Sequence, residues 1–207
     1  MRIRNAVMAL LVLCICAGPA AAQSWESPTF FSPVPHDDIG LYLAKAEEVD
    51  DAGWLAIWRQ SGNINLGVRA GLAPGFFDWL LGAEFYGPLN LFQDSRILLS
   101  WIVAGGAMFG DGVTALRIPV GASFGANLGS GSFQIIPYVH PRVTFDLIAE
   151  DVAGQEETDT EFYVDVDLGA DLQVGESLVF RAGFTLGDFT TFGAGVAYRI
   201  PRRVVVR

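Results

Sequence analysis

Residues 161–174 alternate without interruption. Phe162, Val164, Val166, Leu168, Ala170, Leu172 and Val174 are apolar; the positions between them are polar or glycine, save Tyr163, which carries a hydroxyl. Successive side chains on a β-strand point to opposite faces, so this segment predicts a strand with one apolar and one charged face. Strands of globular proteins usually run to about six residues, and this run is more than twice that. The split recurs. Over 113–128, Leu116, Ile118, Val120 and Phe124 take even positions, and Arg117, Gly121, Ser123 and Gly125 take odd ones. Over 189–200, Phe192, Val196 and Tyr198 oppose Thr191, Gly193 and Gly195.

The start of the chain has another character. Arg2 and Arg4 precede an apolar stretch from Ala6 to Ala17, and Ala20-Ala21-Ala22 precedes Gln23. A basic start, a short apolar core and an A-x-A site describe a cleavable secretory signal over residues 1–22. The stretch is too short for a membrane helix. Leu13 and Ile15 stand before the two cysteines, Cys14 and Cys16, where a lipoprotein signal needs a small residue. Cleavage removes both cysteines and leaves neither a disulfide framework nor a thiolate metal site. The remaining chain, about 185 residues, suffices for one domain. The sequence is 51% hydrophobic, yet after the signal no apolar run approaches the roughly eighteen residues of a membrane helix. A transmembrane barrel reconciles the two facts, because it spreads its apolar surface over alternate residues. The net charge of −10 speaks against nucleic acid as a partner.

After an irregular lead-in over 23–38, the pattern predicts ten strands, at about 39–46, 53–60, 63–73, 76–86, 96–109, 113–128, 133–149, 161–174, 178–186 and 189–200. Taken in order, the even connections are Ser61-Gly62, 87–93, 129–131 and 175–177, mostly tight glycine turns. The odd set contains two acidic segments, 47–53 and 150–160. Single-chain barrels put short turns on the periplasmic side and longer loops outside, so with both termini periplasmic both acidic loops lie outside. The expected fold is all-β: one antiparallel up-and-down transmembrane β-barrel over 39–200, with ten strands. Eight is the alternative, should the first hairpin lie outside the wall. Pro119, Pro137 and Pro141 fall within strands and have no N–H to give a ladder, which predicts bulges or local breaks.

The composition of the polar face decides which face meets lipid. That face is rich in glycine and small residues, which fits a cramped interior better than a solvated surface. The whole chain has one lysine, Lys45, against twelve arginines. Arg59, Arg69, Arg96, Arg117, Arg142, Arg181 and Arg199 all take the polar register, as do Asp78, Glu84, Asp146, Asp165, Asp167 and Asp171. The planar guanidinium suits enclosed ion-pair networks better than a hydrated ammonium. The charged face therefore points into the lumen and the apolar face into lipid. Phe85, Phe109, Phe133, Phe162, Phe189 and Tyr198 stand near strand ends, where membrane interfaces collect rings.

With these features the chain resembles the small single-chain outer-membrane β-barrels of Gram-negative-type envelopes. Residues 191–198, with Thr191, Gly193, Val196 and Tyr198 in the spacing polar, Gly, hydrophobic, aromatic, are similar to the terminal assembly signal of that class. The resemblance implies an outer-membrane location, contact with outer-membrane lipid and insertion by the barrel-assembly machinery. In the family this signal usually closes the chain. Here a basic tail follows, with Arg202, Arg203 and Arg207 in residues 201–207.

Candidate chemistry is sparse. His36 and His140 are the only histidines, so a histidine zinc site is not available. The acidic segment 150–161 offers oxygen ligands without EF-hand spacing, and no metal or cofactor is expected. His140 shares the polar face with Arg142 and Asp146, and a His–Asp couple serving a hydroxyl would make a hydrolase. A structural network in a packed lumen, formed by Arg117, His140, Arg142, Asp146, Asp165, Asp167, Asp171, Arg181 and Arg199, accounts for the same residues. The reading is a non-enzymatic outer-membrane barrel, structural or a narrow polar-lined, porin-like pore. Its alternatives are an outer-membrane lipid-modifying or proteolytic enzyme and a soluble periplasmic β-barrel binding protein.

Overall fold

Each alternating segment pairs with its neighbour in sequence, and the last pairs with the first. The computed structural model describes residues 29–34, 37–46, 52–62, 65–72, 78–91, 96–110, 113–152, 155–187 and 190–201, with backbone alone at 46, 151–152 and 155–156. The predicted signal over 1–22, His36, Phe189, the acidic residues 47–51 and the basic tail beyond 201 lie outside the described residues. The strands are β1 (Asp38–Ala46), β2 (Gly53–Gln60), β3 (Asn65–Leu72), β4 (Trp79–Pro88), β5 (Ile97–Gly110), β6 (Val113–Ala126), β7 (Leu128–Ser130), β8 (Phe133–Val152), β9 (Gln155–Val174), β10 (Leu178–Leu186) and β11 (Thr191–Arg199). β7 continues β6 past Asn127 in the same register, Gly125 opposing Tyr138 and Leu128 opposing Ile135. The wall therefore has ten antiparallel staves, closed by β1 against β11 and β6 against β8.

Followed from stave to stave, the registers return to β1 displaced by about twelve residues. At about 3.3 Å per residue and about 4.8 Å between strands, that is a tilt of roughly 40°, usual for a small barrel. The hairpin turns that join β8 to the wall and β9 to β10 carry glycines at φ 69°, Gly131 and Gly175, a conformation that costs other residues more.

The prolines interrupt ladders without shifting them. Between β5 and β6 pairing stops at Val103–Val120 and resumes at Gly106–Arg117, around Pro119. Between β6 and β8 it lapses opposite Pro141 and again opposite Pro137. A missing N–H deletes a rung, but the strands on either side hold the register, so breaks occur and no extra residue is bulged out.

Three expectations need correction. The acidic segment 150–160 is not a loop. β8 and β9 pair up to Val152 opposite Gln155, with Thr158 and Thr160 inside β9. Threonine favours strands, and a segment with no apolar face to bury shows no hydrophobic period. Arg96 lies in the turn before β5, and Asp78 lies just before β4; both are exposed and outside the lumen. A register projected past a strand end has no pleat to carry it.

Candidate functional site: the filled lumen

Inward and outward positions differ sharply. Among the described residues, the outward positions of the staves carry no aspartate, glutamate or arginine except at the tip of the β8–β9 hairpin, where Asp151 and Glu156 take the outward register, and Lys45 stands near the end of β1. Leu81, Val103, Val120, Val143, Val164 and Leu168 are all exposed on that side. Arg117, His140, Arg142, Asp146, Asp165, Asp167, Asp171 and Arg181 point inward and are buried, while Arg199 is half-buried at the end of β11.

The inward charges form clusters. Arg117 on β6 grips Asp146 on β8 through Nε at 2.7 Å and through Nη2. Arg181 on β10 reaches Asp38 on β1 at 2.6 Å, Asp171 on β9 at 3.1 Å and the Tyr42 hydroxyl at 2.8 Å. Arg142 lies 3.5 Å from Asp165 and 3.4 Å from Asp167. A fourth cluster joins Arg59 to Glu84 at 2.5 Å and Arg69 to the same carboxylate. Each buried charge thus meets a counter-charge, the condition under which burial is tolerable.

The lumen also holds a piece of the chain itself. Thr29, Phe30, Phe31 and Ser32 are buried inside the barrel. The wall binds this segment mainly through its backbone. Arg59 donates to the carbonyls of Phe30 (2.8 Å) and Thr29 (3.1 Å), and Arg69 also donates to Thr29 (3.3 Å). Ser123 donates to the Phe31 carbonyl at 2.8 Å and Ser100 to that of Pro33 at 2.7 Å. From the opposite wall, Asp167 accepts from the Thr29 amide at 3.1 Å and from its hydroxyl at 2.7 Å. Thr29 thus lies between a cationic wall and an anionic one, its carbonyl toward the arginines and its amide toward the carboxylate.

Two rings complete the fit. Phe30 stacks on Tyr42 with centroids 4.4 Å apart and joins an apolar cluster of Leu55, Ile57, Leu80, Met108 and Ala115. Phe31 meets Tyr86 edge-on at 5.5 Å and sits beside His140 at 5.6 Å. Inner-face glycines make the room. A Cβ on Gly193 would strike the Phe30 ring, and one on Gly169 would overlap Tyr138. The lumen therefore carries ion pairs on several staves, β2 to β4 included, and is apolar where Leu55, Leu80, Met108 and Ala115 surround the Phe30 ring.

Thr29, His140 and Asp167 look superficially like a nucleophile with its base. The Thr29 hydroxyl lies 2.8 Å from His140 Nδ1, and that nitrogen lies 3.1 Å from Asp167. A carboxylate only accepts, so the hydroxyl and Nδ1–H both aim at Asp167. The imidazole then presents no free lone pair to the hydroxyl, which a general base must do. The three groups are also sealed from solvent. They serve to anchor the segment. At the end of the barrel that carries the short turns, a bowl of about 640 Å³ is lined by Asp37, Ser61, Asn65, Glu176 and Arg199, among others.

Sequence reasoning placed Arg59, Arg69 and Glu84 on the polar face without assigning them a task. It overlooked Asp38, Tyr42 and the whole of 29–34. Thr191 and Gly193 are buried on β11, Val196 is half-buried and Tyr198 is half exposed on the outer face.

No protein-family model and no curated protein matches the chain. In outline it is similar to solved outer-membrane barrels. The N-terminal β-barrel domain of Pseudomonas aeruginosa OprF is 11% identical, with 81% of this chain and 100% of that one covered and a TM-score of 0.42. The KdgM porin in complex with disordered oligogalacturonate is 10% identical, over 79% and 99%, with a TM-score of 0.42. Ail, the attachment invasion locus protein of Yersinia pestis, is 12% identical, over 81% and 100%, with a TM-score of 0.35. The ten staves and their closure rest on the chain's own registers.

Proposed function

We propose that the chain is an integral, non-enzymatic outer-membrane barrel whose lumen is closed by its own N-terminal segment. The observation that carries the membrane reading is the uncharged apolar belt around the wall, set against an interior of ion pairs. Exposed apolar patches on soluble monomers seldom exceed a few hundred Å², and this belt runs over every stave. A soluble periplasmic binding barrel would invert it. The closed lumen follows from Phe30 and Phe31 seated between the walls, and it favours a structural barrel or a gated pore over a standing channel. The charged groups of the lumen pair with one another and several of them hold segment 29–34; among the described residues no base stands beside a solvent-reachable nucleophile.

Envelope fractionation tests the membrane reading, combined with a charge on the belt. The chain is expected in the detergent-dependent outer-membrane fraction. Leu168→Arg or Val166→Arg places a guanidinium against hydrocarbon, a cost of about 2–4 kcal/mol near the midplane, and is expected to abolish assembly. Recovery in the soluble periplasm, or normal assembly of both variants, overturns the proposal.

A further inference from the structure

The rim of the barrel is uneven. β8 is flanked by β6 as far as Glu150, opposite Val113, and β9 is paired to β8 along its whole length. β10 stops at Leu186, opposite Val166. Among the described residues, the stretch of β9 from Gln155 to Phe162 therefore has a strand partner on one side only. Eight residues at about 3.3 Å each make a bare edge roughly 26 Å long. Such an edge presents unpaired N–H and C=O groups, which template an added strand.

Two local details fit an edge without a partner. The Thr160 amide donates to the Asp159 carboxylate at 2.7 Å, the local substitute that an unpaired donor finds. Phe162 is 66% exposed, with Phe145 of β8 opposite it on one side and no described strand residue on the other.

The charge of the edge selects its occupant. Residues 150–161 contain Glu150, Asp151, Glu156, Glu157, Asp159 and Glu161, and no lysine or arginine. Within the hairpin Glu150 directly opposes Glu157, a destabilising like-charge pair. A second copy of this chain docking edge to edge would bring further acids alongside, so the edge resists self-pairing. An extended segment with lysine or arginine at alternate positions would complete the ladder and neutralise Glu157, Asp159 and Glu161. We infer that the Gln155–Phe162 edge of β9 is a docking site for an extended basic polypeptide segment, bound by strand addition. On the parity of the connections this edge stands on the outer side of the membrane.

The test uses the chain from residue 23 onward, refolded into zwitterionic lipid nanodiscs. The probe is a fluorescent eight-residue peptide alternating lysine and valine. Two versions carry N-methyl groups on alternate residues, in the two opposite phases, with charge unchanged. The parent peptide is expected to bind, and one methylated phase to bind at least about tenfold more weakly while the other stays close to the parent, because alternate residues of a strand aim their amides to the same side. Glu157→Lys with Asp159→Lys is expected to weaken the parent peptide at least about tenfold. Absence of binding overturns the inference. Equal binding by both methylated phases also overturns it, since acidity alone would then account for capture.

Discussion

Phe30→Ala is the substitution that probes the lumen segment most cleanly. The ring is fully buried, stacks on Tyr42 and packs among Leu55, Leu80 and Met108. Truncating a buried phenylalanine costs about 3–5 kcal/mol. The backbone bonds from Arg59 and Ser123 use carbonyls and survive the change, so the lower figure applies to undocking of the segment. At about 1.4 kcal/mol per factor of ten, about 3 kcal/mol shifts the docked equilibrium roughly a hundredfold. The readout is a thiol at Ser32→Cys, in a chain that begins at residue 23 and so contains no other cysteine. Labelling by a hydrophilic maleimide reports the undocked fraction. Phe30→Ala is expected to label roughly a hundredfold faster, with heat-modifiable migration of the barrel unchanged, since Phe30 takes no part in the wall ladders. Phe30→Gly should fall between alanine and the parent. Phe30 adopts φ 51°, a left-handed conformation costing an L-residue about 1–2 kcal/mol that glycine escapes. If Phe30→Ala labels no faster than the parent while the wall stays folded, the ring does not hold the segment and the reasoning fails.

Glu84→Gln removes the one carboxylate shared by Arg59 and Arg69. Leaving two buried guanidiniums without it should cost about 3–5 kcal/mol, read as a lower urea midpoint for the refolded barrel in detergent; an unchanged midpoint would refute the pairing. Gly169→Ala puts a Cβ into the Tyr138 ring and should cost about 1–3 kcal/mol by overpacking. Tyr138→Leu in the same chain should recover most of that loss in the same titration, whereas Tyr138→Phe should recover little, because the ring remains. Arg181→Met strands Asp38 and Asp171 and should destabilise the seam between β1 and β11, seen as faster hydrogen exchange of the β1 amides than of the β6 amides.

The wall was legible because a barrel with an apolar outside and a polar interior imposes a period on sequence. Every stave that separates the two must alternate, and residues such as Val164, Asp165, Val166 and Asp167 show it plainly. The arginine preference over lysine disclosed the side on which the charges pair. The upper hairpin was hidden because its strands have no apolar face to bury, so Glu157 to Thr160 read as a loop although Thr158 and Thr160 favour extended backbone. The lumen segment was hidden for a different reason. Thr29, Phe30 and Phe31 have no periodicity, and their partners Arg59, Arg69, Ser123, His140 and Asp167 come from distant staves. Only closure of the barrel brings those groups onto one peptide. The inward apolar residues Leu55, Leu80 and Met108 blurred the pattern of their strands because they pack on Phe30 where other staves carry charge.

Closure of the lumen by residues 29–34 is tested most directly by single-channel recording in a planar bilayer. The chain from residue 23 onward is expected to insert without discrete conductance. The same barrel lacking residues 23–34 is expected to show small, uniform steps, because the space held by Phe30 and Phe31 fills with water between Arg59 and Asp167. Steady conductance from the longer chain, equal to that of the shortened one, would contradict the account.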